Sequence, residues 1–88
     1  MDLGDRVKKL RKKYKLTQNE LAKELGLSGQ MIVNYENGIR GISIDKLQQI
    51  ANVFSFPLHL FFVDNFDDII NSNENIITKS YENKNNNR

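Results

Sequence analysis

The chain contains no cysteine, and one proline and one histidine in 88 residues. Without cysteine there are no disulfides, thiolate zinc ligands or cysteine nucleophiles, so packing or a second subunit must hold so short a chain. The lone His59, with no second histidine or cysteine to join it, cannot build a metal site or a triad and reads as a surface or helix-end residue. No window approaches the roughly 18 apolar residues of a membrane span, and the charged N-terminus is unlike a signal peptide. A membrane partner is therefore not expected, and a cytoplasmic address is. No glycine-rich phosphate loop, nucleophile beside a base, inward carboxylate pair or metal-ligand set occurs, so neither an enzyme nor a cofactor is expected.

What is present is an uneven charge. The net charge is +2, but residues 1–63 carry +4 and residues 64–88 carry −2. Within the first part, KKLRKKYK at 8–15 places six cations in eight residues. That density suits a polyanion, although lysine-rich helix faces are also ordinary solvated surface.

Apolar spacing and helix caps divide residues 1–63 into helices. Leu3, Val7, Leu10 and Tyr14 form one helical stripe, predicting a first helix over 2–13 with Asp2 and Asp5 in its first turn. Thr17 with Glu20 is a capping box, and Leu16 with Leu21 a hydrophobic staple, so a second helix starts at 17 and ends at Gly26. Its Leu21, Ala22 and Leu25 face inward. Ser28 caps a third helix at once, with Ile32 and Tyr35 inward and Gly38 as its stop. With only Gly26 and Leu27 between them, helices two and three have no room to run antiparallel and must cross steeply, as a helix-turn-helix. Ile42, Ser43 and Leu47 repeat the staple and cap for a fourth helix with the stripe Leu47, Ile50, Ala51 and Phe54. Pro57 suits the first position of a short fifth helix, PLHLFF, which adds Leu58 and Phe61 to the core.

Residues 64–88 form a polar tail in which eight of 25 residues are Asn. Its apolar pairs Ile69–Ile70 and Ile76–Ile77 lack a sustained period, and its end, YENKNNNR, reads as disordered. The segment FDDIINS either extends the last helix or assists pairing with a second subunit.

The outward side of helix three presents Gly29, Gln30, Val33 and Asn34, with no charge among them. Carboxamides can bond the N6 and N7 edge of adenine and a valine can touch a thymine methyl, so this is a candidate base-reading face. Solvated surface is the plainer reading of the same residues. Gln18 stands in the first turn of helix two, where free N–H groups attract phosphate. Asn37 and Arg40 follow helix three, and Arg11, Lys12 and Lys15 lie near helix one; all can hold phosphates.

LTQNELAKELGLS and QMIVNYENG together resemble the helix-turn-helix of lambda-repressor and Cro proteins, the XRE family. The likeness runs from about Leu3 to Phe62 and rests on Gln18 after a cap, Ala22, Gly26, Ile32, Glu36-Asn37-Gly38 and Leu47 with Ile50-Ala51. It implies an all-α, five-helix fold and sequence-specific binding of double-stranded DNA by a homodimer, with Gln18 on a phosphate. Phe61 and Phe62 cannot both face the core, so Phe62 with Leu58 or Leu60 leaves an apolar patch in a region through which this family often pairs. Many phage repressors of this type open helix three with Gln, where this chain has Gly29. Helix three also lacks Arg and Lys, the usual guanine readers, so A·T pairs are expected opposite Gln30 and Asn34. A transcriptional repressor is the reading the resemblance favours; the alternative is a protein-interaction module of the same fold, of antitoxin or anti-repressor type, with a protein as its regulator or partner.

Overall fold

The structure, a computed structural model, describes residues 2–72. The expectations for Ile76–Ile77 and YENKNNNR lie outside those residues. Among the described residues there are five α-helices and one 3₁₀ helix, and no strand: α1 Leu3–Lys13, α2 Gln18–Leu25, α3 Gly29–Glu36, α4 Ile44–Val53, the 3₁₀ helix Leu58–Phe62 and α5 Phe66–Ser72. The all-α expectation holds.

Each of the first four starts is set by a side-chain cap. Asp2 accepts from the Asp5 N–H, Ser28 from Met31 and Ser43 from Lys46. Thr17 and Glu20 make the reciprocal bonds of the capping box, at 3.0 and 2.8 Å. These caps satisfy donors that a helix start leaves without intrahelical partners, each contributing about 1 kcal/mol. Among the described residues no helix is long and apolar enough to cross a membrane.

The ends share one geometry. At α1 the Leu16 N–H donates to Arg11 O and the Lys15 N–H to Lys12 O, and the same pair of bonds closes α2, α3 and α4. This closure requires one left-handed residue. Gly26 (φ 69°) and Gly38 (φ 75°) supply it for α2 and α3, as their sequence positions predict. Lys15 (φ 61°) and Ser55 (φ 51°) supply it for α1 and α4 without being glycine.

The apolar stripes meet in one core. Val7 and Leu10 of α1, Leu21 and Ala22 of α2, Ile32 and Tyr35 of α3, and Leu47, Ile50, Ala51 and Phe54 of α4 are all buried there. Tyr14 stacks on Phe54 at a ring separation of 5.1 Å. Gly4 lets α1 close on the end of α3: a Cβ at this position would run into the Tyr35 carbonyl oxygen and sit 3.0 Å from that of Glu36.

Two expectations change toward the C-terminus. PLHLFF is a 3₁₀ helix, and Pro57 precedes it in extended conformation (φ −61°, ψ 129°) rather than opening it. Leu58 packs only partly buried against the core, while Phe61 is fully buried. The second change is the boundary at 63, which falls inside the packed unit. FDDIINS is a helix whose Phe66, Ile69 and Ile70 are buried in this chain's own core. Phe66 stacks with Phe61 (6.0 Å, 19°) and meets Phe56 edge-on (6.1 Å, 76°). The Arg6 guanidinium lies 4.9 Å from the Phe66 ring centre and donates to the carbonyls of Phe61 and Val63. Burying one such ring is worth about 1.5–3 kcal/mol, enough to hold a helix of seven residues that would not stand alone.

Candidate nucleic-acid interface

The turn that joins α2 to α3 is built on Gly26. Its left-handed backbone lets the Leu27 N–H reach back 2.9 Å to Ala22 O, after which Ser28 restarts the chain as a cap. Ile32, Tyr35 and Glu36 take the inward side of α3, leaving Gln30 exposed and Val33 and Asn34 half-exposed. The Gln30 Nε2 donates to Asn34 Oδ1 at 3.1 Å, one turn along. The four residues expected on the outward face of α3 are therefore brought together, and two of them are bonded to each other.

Behind this face lies a buried polar network. The Arg11 guanidinium binds the Glu36 carboxylate at two points, Nε to Oε2 at 2.7 Å and Nη2 to Oε1 at 3.0 Å, and its Nη1 donates to Leu16 O at 2.8 Å. Arg11 is 6% exposed and Glu36 5%. Arg11 is thus a correction: expected among the phosphate anchors, it is a buried strut between α1, α3 and the loop before α2. Burial without this partner would leave a bare charge in a low dielectric, so the two are retained or lost as a pair. The sequence held a signal for it, since position 11 follows Val7 by four residues and so lies on the apolar stripe of α1. Position 36 likewise follows Ile32 by four.

Gln18 joins the same network. Its Nε2 donates to Glu36 Oε1 at 3.1 Å, which fixes the carboxamide at the start of α2 and leaves its second N–H for a further acceptor. The remaining candidates are dispersed. Asn37 is exposed as the cap at the end of α3, and Arg40 is exposed in the following loop, which is held by bonds from the Ile39 and Arg40 N–H groups to Asn34 O. Lys15 is exposed in the turn before α2. Lys12 lines a hollow against α5 with Lys9, Lys13, Asp67, Ile70 and Asn71. Phe62 is 39% exposed, and Leu58 and Leu60 are half-buried beside the core. Asn19, which the sequence did not single out, has its side chain against the Gly29 position.

The profile of the helix-turn-helix family matches residues 7–61, which include all of α2 and α3. The chain belongs to the Cro/C1-type helix-turn-helix family. It is similar to an uncharacterized transcriptional regulator in the ATPase CF(0) region of Rhodospirillum rubrum, 39% identical over 62 residues, covering 70% of this chain and 57% of that one. A similar match is to an uncharacterized HTH-type transcriptional regulator of Archaeoglobus fulgidus, 38% identical over 63 residues, 72% of this chain and 87% of the other. An uncharacterized HTH-type transcriptional regulator of Sinorhizobium medicae is 31% identical over 62 residues, of which this chain spans 45% of the length. The chain spans about half the length of the first and last of these relatives. No solved structure gives a significant match.

Proposed function

We propose that this chain is a DNA-binding transcription regulator that acts as a dimer, placing the outward face of α3 in the major groove of each half of a two-fold operator. The observation that carries the reading is the Gln30–Asn34 pair. With Gln30 donating to Asn34, the pair keeps one carbonyl oxygen on Gln30 and an amide on Asn34 free of protein partners. An acceptor beside a donor is the complement of adenine's N6–H and N7 edge. Val33 beside them offers a methyl surface to thymine.

Gln18, Asn37, Arg40 and Lys15 are the phosphate contacts in this reading, and Lys12 adds charge at longer range. Phe62 with Leu58 and Leu60 is the surface on which two copies would pair, setting half-sites about 34–36 Å apart. Repression is the favoured outcome, because occupying promoter DNA requires nothing beyond binding. The regulators named among the relatives support this reading.

The test is selection of bound duplexes from a random pool. A two-fold motif with A·T pairs opposite Gln30 and Asn34 is expected, with affinity falling steeply as salt rises. Recovery of G·C-rich half-sites alone refutes the assigned contacts. Enrichment of no duplex refutes DNA binding and leaves the fold as a protein-interaction module.

A further inference from the structure

Gly29 opens α3, yet nothing in its backbone angles calls for glycine, since it is not among the residues with positive φ. The reason lies on the neighbouring helix. A Cβ at position 29 would collide with the Asn19 side-chain oxygen and lie 3.2 Å from Asn19 Cγ, and beyond its own helix backbone and chain neighbours it would meet nothing else within 4 Å. The carboxamide of Asn19, the second residue of α2, therefore occupies the space in which a first side chain of α3 would stand. Asn19 is exposed, and among the described residues no hydrogen bond holds its amide.

This places a third carboxamide, itself exposed, beside Gly29, next in sequence to Gln30 and carried by a different helix. The start of a recognition helix is the end whose residues reach base edges. An exposed amide with no partner among the described residues has its N–H₂ free for an acceptor such as purine N7, guanine O6 or thymine O4. We propose that Asn19 is a base-reading residue, supplying from α2 the contact that Gly29 cannot make from α3. The inference rests on the DNA-binding reading above and adds a specificity-determining residue to it.

Selection from a random duplex pool, run in parallel on the wild-type chain, Asn19→Ala and Gly29→Ala, tests it. Asn19→Ala is expected to lose the preference at one position of each half-site by roughly three- to tenfold, the worth of one hydrogen bond, with the rest of the motif intact. Gly29→Ala is expected to blur the same position, because its methyl group displaces the end of a flexible side chain. Circular dichroism checks that both variants are folded, and Asn19→Ala, on an exposed position, decides the matter alone if Gly29→Ala is not. An unchanged Asn19→Ala motif overturns the inference, and so does an equal loss of affinity for all duplexes, which marks a phosphate contact. A wild-type chain that enriches nothing overturns the DNA-binding reading itself, a result distinct from either.

Discussion

Arg11 of α1 and Glu36 of α3 form a two-point ion pair inside the protein, and Gln18 of α2 donates to the same carboxylate. Three helices are thus fixed to one another behind the surface that α3 turns outward. Arg11→Met strands the Glu36 charge and is expected to lower unfolding free energy by about 3–5 kcal/mol in urea titrations. The double variant Arg11→Met with Glu36→Leu removes both charges and is expected to recover most of that loss. It leaves Gln18 without its acceptor, so DNA affinity is expected to stay reduced while stability returns.

Phe66 tests whether α5 belongs to the domain. The ring is fully buried between Phe56, Phe61 and Arg6, so Phe66→Ala is expected to destabilise the chain by about 3–5 kcal/mol in thermal or denaturant unfolding. Ile39→Ala, at a residue 74% exposed, is the control, with an expected change within about 0.5 kcal/mol.

Lys9 adds a pH dependence to the α1–α5 contact. Its ammonium bonds Asp67 at 2.8 Å and Asp5 at 3.0 Å, and the Asp67 bond, followed by that to Asp5, raises its pKa above the ordinary 10.5. A raised folded pKa gives a contribution that is complete below the unfolded value and lost as pH climbs through the folded one. Between neutral pH and about 10 the pair is expected to hold, and above the ordinary value its contribution disappears. Melting curves of the wild type and Lys9→Met should therefore converge in strongly alkaline solution at low salt, with a small difference at neutral pH that high salt removes.

Ser55 holds the left-handed position that closes α4, at φ 51°. Ser55→Gly relieves that conformation and is expected to raise stability by about 0.5–1 kcal/mol, measured by the urea midpoint. Lys15→Gly should do the same at the end of α1, while removing a cation from the proposed DNA side.

Much of the fold was legible because the signals for α1 to α4 are local. Thr17, Ser28 and Ser43 cap helices a few residues away, Gly26 and Gly38 stop them, and the apolar stripes lie within single elements. The closures at Lys15 and Ser55 were not legible, since neither residue type prefers a left-handed backbone. FDDIINS was legible as a helix only as one of two alternatives, and its place in the core was not, because Phe66, Ile69 and Ile70 lie among acids and asparagines and gain their burial from Phe56, Phe61 and α1 across the chain. In the site, the outward α3 face could be read from position alone. Arg11 was misread because its partner is 25 residues distant, and Asn19 escaped notice because its relation to Gly29 exists only once α2 and α3 are folded together.

On the proposed reading, the outward face of α3 is the surface that meets DNA. Amide NMR of the labelled chain, titrated with an A·T-containing duplex recovered by selection, tests it most directly. The largest shifts are expected at Gln30, Val33 and Asn34, including the side-chain amides of Gln30 and Asn34. Shifts confined to α5 and the 3₁₀ helix, with the α3 signals unmoved at saturation, would contradict it.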